Sequence, residues 1–368
     1  MPTSLQTLAE HGQSPWVDYV SRSFVRDGPL GELIGAGVRG LTSNPTILQS
    51  AIADGTAYDD QLHELLREQD DLKEIFLALV VEDLRGACDL LRPVFDENPG
   101  SQHGWVSLEV DPRLANDTSA TAEEAIRLHR LVDRPNLMVK IPGTVAGLPA
   151  IEETVANGIP VNVTLLFSLE RHRQAALAYQ RGLRRLLVAG GDLRTVASVA
   201  SFFVSRVDTE ADRLLTEAGG PEDLRGTLAV ANARLAYQTY QNVFSGPEWA
   251  ELTAAGASPQ WCLWASTSMK DERRPDVFYV EQLIGPDTVT TLPRQTAEAF
   301  LDHGTVADTL TQDLDDARTT LTRFEAAGVQ YADVVQALEV QGVQRFGDSF
   351  QQLLNGIADK RDQLLRTS

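Results

Sequence analysis

Asn136-Leu137-Met138-Val139-Lys140-Ile141-Pro142-Gly143-Thr144 is the stretch around which the rest of the chain arranges itself. It follows a proline, runs apolar but for one lysine and stops at a Pro-Gly turn, so residues 137–141 read as a buried strand. Strands of a parallel sheet are covered on both faces and are almost purely hydrophobic. Lys140 departs from that rule at the strand's C-terminal end. A buried ammonium is costly, and a protein can limit the cost by lowering the lysine pKa from its usual ~10.4. An amine held in this way is suited to imine formation. The plainer alternative is a lysine whose stem packs while its head reaches solvent. The neighbouring strands decide between the two.

Outward from this strand, short apolar runs recur at Trp16–Val20, Val38–Thr42, Trp105–Val110, Val161–Leu166, Val196–Phe203, Trp261–Ala265 and Thr288–Leu292. Amphipathic stretches lie between most of them. Glu32–Ala36 is short, Ala57–Leu91 is long enough for two helices, and Ser119–Leu131 and Leu169–Ala189 show three- and four-residue apolar spacing. Val207–Phe244 reads as a helical pair broken at Gly219-Gly220-Pro221, and Gln295–Arg366 as further helices interrupted near Gly328. The segments Phe95–Gly104 and Ser245–Pro259 read as turn-rich loops. Strands alternating with helices imply right-handed crossovers and a parallel sheet. Eight of them favour a closed (β/α)8 TIM barrel over an open sheet. The expectation is one α/β domain over residues 1–368, with strands within about 16–292 and additional helices over 295–368.

The composition narrows the functional classes. Hydrophobic residues make up 43% and charged residues 23%, as in an ordinary soluble globular protein. A net charge of −20 argues against a nucleic-acid binder, whose affinity rests on cationic contacts, but leaves room for a small phosphorylated metabolite held by a few convergent cations. Cys88 and Cys262 are the only cysteines, which is no disulfide framework and fits a reducing compartment. Residues 1–15 show no signal-peptide pattern and no run reaches membrane-spanning length, so a cytoplasmic protein without membrane association is expected.

Function in such a barrel sits at the C-terminal ends of the strands. There this chain places Asp18, Asn44, Glu109, Lys140, Asn162 with Thr164, Ser201 and Ser266, on strands one to seven in order. Period-two alternation turns Val161, Val163 and Leu165 toward the helices and Asn162 and Thr164 inward; Val106, Leu108 and Val110 likewise oppose Ser107 and Glu109. Each member has a simpler explanation. Asn44-Pro45 is also a helix N-cap with proline in the first turn, Asp18 a loop cap, Glu109 a partner for Arg113, and the serines small residues at a crowded rim. Their joint occurrence points to a lined mouth. Chemically, a lysine iminium draws electrons from an adjacent carbon–carbon bond, and Asp18 is placed to move the proton of the hydroxyl at that bond. Glu109 can relay protons through water, Asn44 and Asn162 can meet sugar hydroxyls, and Thr164 can hold the water. Metal chemistry fits poorly, because none of the histidines at 11, 63, 103, 129, 172 and 303 falls at a strand's C-terminal end. No glycine-rich nucleotide loop of the required form is present either.

The segment Val139-Lys140-Ile141-Pro142-Gly143-Thr144, with Gly147-Leu148-Pro149-Ala150-Ile151 after it, resembles the active-site lysine segment of transaldolases. So do Gly40–Thr46, Val106–Pro112, Val161–Ser168 and Ala200–Asp208, in order over most of residues 14–300. Leu263-Trp264-Ala265-Ser266-Thr267 is similar to the longer, actinobacterial members. The resemblance implies a cofactor-free Schiff-base enzyme of the non-oxidative pentose phosphate pathway. Such an enzyme moves a dihydroxyacetone unit from sedoheptulose 7-phosphate to glyceraldehyde 3-phosphate. It also implies roles: Lys140 for the imine, Asp18 for acid–base work, Glu109 and Thr164 for the catalytic water. Asn44, Asn162 and Ser201 would hold the transferred unit, and Arg206 and Ser266 the phosphate. One position departs from the pattern. Many members carry an arginine where this chain has Ser268, and Lys270 is the expected second cation, without the bidentate fork of arginine. A relative that reversibly cleaves fructose 6-phosphate is the alternative activity, and a non-catalytic sugar-phosphate-binding barrel a third. Sugar phosphates are the expected partners of a monomer or homodimer.

Overall fold

Eight strands close on themselves in sequence order: β1 (Gln13–Asp18), β2 (Gly40–Thr42), β3 (Trp105–Glu109), β4 (Leu137–Pro142), β5 (Val161–Leu166), β6 (Ser198–Phe203), β7 (Trp261–Ala265) and β8 (Thr288–Leu292). Every neighbouring pair is parallel, and β8 returns to β1. The computed structural model describes residues 2–53 and 56–367. All eight expected strands are present, in a (β/α)8 TIM barrel with additional helices beyond β8.

The register explains how the polar side chains meet. Glu109 on β3 pairs with Lys140 on β4, and Lys140 with Asn162 on β5. Paired residues in a parallel sheet share a face, so these three stand at one level inside the barrel. Asp18 pairs with Thr42 on the far side. One pleat below Asp18, the fully buried Trp16 plugs the barrel, and it does so opposite Gly40. A Cβ on Gly40 would lie 2.5 Å from the Trp16 ring, so glycine is what lets the indole fill the floor of the site.

Some boundaries differ from the pattern, for identifiable reasons. β1 begins at Gln13, before its apolar run, because Gln13 and Ser14 are buried polar residues. Gln13 Nε2 donates to the Leu283 carbonyl at 2.7 Å and Ser14 Oγ to the Gln102 carbonyl at 2.9 Å. Leu165 has φ +59° and sits in a register shift between β5 and β6, so the alternation ends at Thr164. The segment expected as a loop over 245–259 contains a helix, Pro247–Ala254, which starts on its proline and buries Trp249 and Leu252. The helix Leu72–Glu97 likewise covers the first three residues of the loop expected from Phe95, with Pro93 inside it.

After β8 come the helices Arg294–His303, Leu314–Ala326 and Tyr331–Thr367. The interruption falls at Gly328, φ +88°, as expected. The last helix has 37 residues and is about 55 Å long, enough to cross the whole barrel. Its buried stripe runs through Val334, Leu338, Phe346, Phe350, Leu353 and Ile357. Gly342, within that stripe, lies close to Leu165 and Phe167, at the end of β5 and just beyond it. The helix therefore passes over the C-terminal mouth.

Candidate active site

Lys140 is 5% exposed, and its ammonium has two oxygen partners. Nζ donates to the Ser43 carbonyl at 3.1 Å and lies 3.2 Å from Glu109 Oε2. Glu109 ends the adjacent strand β3 and Ser43 follows β2, one strand further round the barrel; together they offset the desolvation of the charge. The Glu109 side chain is itself buried. Burial pushes its carboxyl above the ordinary range; Lys140 pulls it down, and the negative charge of Asp18 pushes it up again. Burial also raises Asp18, against the opposing pull of Lys140 and Arg206. Two carboxyls biased toward holding protons thus flank one amine, the electrostatic profile of a proton-handling site.

A cavity of about 350 Å³ opens above this group. Its walls include Asp18, Asn44, Lys140, Thr164, Ser201, Arg206 and Ser266, so seven of the expected residues are brought together. Glu109 and Asn162 lie just behind the wall. Asn162 is fully buried; Nδ2 donates to Ser107 Oγ at 3.0 Å and Oδ1 accepts from Ser201 Oγ at 2.7 Å. It therefore fixes Ser201 from below. Asn44 serves both of its expected uses, since Oδ1 accepts from the Ile47 N–H at 3.1 Å while the residue also lines the cavity. The Thr164 hydroxyl and both Glu109 carboxylate oxygens are buried; apart from the Lys140 ion pair of Glu109, none of them has a partner among the described residues. Among the described residues, neither Arg113 nor any other cation but Lys140 lies within ion-pair distance of Glu109; Arg113 is committed to Asp111 at 2.7 Å.

At the opposite wall, the Arg206 guanidinium lies over the rings of Phe203 (5.0 Å) and Phe346 (5.8 Å). Ser266 has φ +59°, and its Oγ is 2.9 Å from Ser205 Oγ. Ser268 is on the cavity wall, whereas Lys270 is exposed and outside it, where the chain has turned away from the barrel after β7. Phe346 was not legible as a site residue. It lies on the C-terminal helix, lines the cavity, and puts its ring 5.7 Å from Lys140 Nζ. In the sequence it is one apolar position in a helical stripe, and nothing in the spacing links it to a strand end. Among the described residues, no group of three or more His, Cys, Asp or Glu side chains is placed to hold a metal ion.

Comparison with known proteins identifies the family. The family model described as transaldolase/fructose-6-phosphate aldolase matches residues 15–357. The transaldolase of Parafrankia sp. (strain EAN1pec) is 51% identical over 364 residues, covering 98% of each chain. That of Thermobifida fusca is 50% identical over 364 residues, covering 98% of this chain and 99% of its own. Transaldolase 1 of Streptomyces coelicolor is 48% identical over 363 residues, covering 98% of this chain and 95% of its own. The chain belongs to the transaldolase/fructose-6-phosphate aldolase family of enzymes.

Proposed function

We propose that this enzyme transfers a dihydroxyacetone unit from sedoheptulose 7-phosphate to glyceraldehyde 3-phosphate through an imine on Lys140. The products are erythrose 4-phosphate and fructose 6-phosphate, in the cytoplasmic, non-oxidative pentose phosphate pathway. The observation that carries the reading is the buried Lys140 ammonium, 3.2 Å from Glu109 and on the wall of a cavity that also holds Asp18 and Arg206.

The geometry supports the following steps. Lys140 must lose a proton to attack the ketose carbonyl, and Glu109, whose carboxyl is biased toward protonation, is the adjacent acceptor. Attack gives a carbinolamine, and loss of its hydroxyl as water leaves an iminium. Glu109, buried beside Lys140, and Thr164, with a buried and unpartnered hydroxyl, are suited to deliver that proton and hold that water. Asp18 then takes the proton from the hydroxyl two carbons from the iminium carbon. The bond from that carbinol carbon to the carbon beside the iminium breaks, its electron pair passes to the iminium to give an enamine, and the carbinol carbon leaves as the aldehyde of an aldose. The remaining enamine attacks the acceptor aldehyde, Asp18 returns its proton to the new hydroxyl, and water releases the ketose from Lys140. Asn44 and Ser201 contact the hydroxyls of the transferred unit, with Asn162 fixing Ser201. Arg206 and Ser266 face the phosphate.

Fructose 6-phosphate cleavage shares every step up to the enamine, so transfer depends on keeping the enamine from being protonated and released. The C-terminal helix favours transfer, because Phe346 places an apolar ring over Lys140 and narrows access from solvent. The test follows products from fructose 6-phosphate with and without erythrose 4-phosphate. Sedoheptulose 7-phosphate should form with the acceptor, and free dihydroxyacetone should be at most a minor product without it. Equal rates of dihydroxyacetone release in both mixtures would assign the aldolase activity instead.

A further inference from the structure

Arg206 lines the cavity, and a second arginine, Arg345, stands next to the cavity-lining Phe346; among the described residues neither has an acidic side chain within ion-pair distance. Arg206 makes no ion pair or hydrogen bond among the described residues; only the Phe203 and Phe346 rings cover it. Arg345, next to Phe346 on the C-terminal helix, is exposed and also makes neither contact among the described residues. Three contacts fix how this helix is rotated over the mouth. At Gly342 a Cβ would meet Leu165 Cδ2 at 3.1 Å, Phe346 forms part of the cavity wall, and Ser349 Oγ accepts from Thr46 Oγ1 at 2.9 Å, with Thr46 also on that wall. Arg345 is thereby held at the rim near Arg206. Consistent with that closeness, its charge depresses Arg206 more than either Asp18 or Glu109 raises it, second only to burial. Two neighbouring guanidinium groups without an ion-pair partner repel each other, in a chain with 52 acidic residues against 32 Lys and Arg to supply partners. Such a pair is stabilised when a dianion sits between them.

We propose that Arg345 is the second cation for the terminal phosphate of the substrate, clamping it with Arg206 across the edge of Phe346. The inference rests on the sugar-phosphate reading of this cavity. A phosphate monoester carries close to two negative charges at neutral pH and matches the planar fork of arginine. Among the described residues, the polar groups that the β7 side offers at the wall are Ser266 and Ser268, with Lys270 outside. The C-terminal helix supplies what that side lacks.

The test compares the full-length protein with Arg345→Gln, Arg345→Lys and Lys270→Gln. Arg345→Gln should raise the KM for fructose 6-phosphate about tenfold or more, the loss expected for one charge-assisted contact, while kcat moves much less. Arg345→Lys should recover part of the loss, and Lys270→Gln should have little effect. Inhibition by inorganic phosphate should weaken in parallel with KM. Borohydride trapping of dihydroxyacetone, which has no phosphate, should change less than about twofold. A KM within twofold of wild type sinks the proposal, and so does a parallel fall in dihydroxyacetone trapping, which would mark Arg345 as a support of the helix. If the wild-type protein neither traps dihydroxyacetone nor turns over fructose 6-phosphate, the sugar-phosphate reading itself fails. Direct binding of inorganic phosphate then decides alone: weaker binding to Arg345→Gln upholds the clamp, and equal binding refutes it.

Discussion

Lys140, Glu109 and Asp18 form a charge group whose members depend on one another. Replacing Lys140 with alanine removes the nucleophile and strands a buried carboxylate, so turnover should fall to background and Glu109 should take up a proton more readily. A coupled assay for glyceraldehyde 3-phosphate measures the first effect. Asp18→Asn separates bond cleavage from imine formation: the lysine remains, so imine trapping should persist while cleavage slows about 10²–10⁴-fold. The same substitution should stabilise the fold at neutral pH. Burial raises the folded pKa of Asp18 above its unfolded value of about 3.9, so the native state binds more protons in the window between the two values. Wild-type stability then falls as pH rises through that window, and the asparagine variant escapes the loss. Its advantage in thermal melts should be present at pH 7 and shrink toward pH 4; a constant difference would contradict the assignment. These residues were legible because each interrupts an aliphatic strand at its C-terminal end, where burial makes a polar side chain expensive. Arg206 was reached only through resemblance, since a first-turn helical arginine is unremarkable by spacing alone.

At the scale of elements, the strands were readable and the covering helix was not. The strands carry their own periodic signal, and reading their C-terminal ends placed six expected residues, Arg206 aside, around one cavity. It failed where local rules gave way to tertiary ones: at the buried polar foot of β1, at the Leu165 bulge, and at the short helix after Gly246. The C-terminal helix advertises an apolar stripe but not its destination. Phe346, 5% exposed, shows what that destination means. Phe346→Ala should cost about 3 kcal/mol, near the low end for a buried phenylalanine because one face borders the cavity. It should also raise the share of dihydroxyacetone released to water in place of transfer. Thermal denaturation and product analysis check the two effects; an unchanged product ratio would mean that closure does not depend on this ring.

For the whole molecule, the chain's far end completes a site built by its first 292 residues. A truncation after Gly328 removes the buried stripe from Val334 to Ile357 and uncovers the apolar surface beneath it. It should lower the melting temperature more than any single substitution named above and should bind a hydrophobic dye, with phosphorylated substrates losing affinity. A truncated protein with wild-type stability and KM would show that the helix is a passive appendage. The central claim concerns Lys140, and borohydride trapping tests it most directly. The protein is incubated with fructose 6-phosphate, reduced, digested and mapped by mass spectrometry. A dihydroxyacetone-sized adduct on Lys140, discharged when erythrose 4-phosphate is added before reduction, is the result expected here. A folded protein that gives no adduct, or gives one on another lysine, would contradict the account.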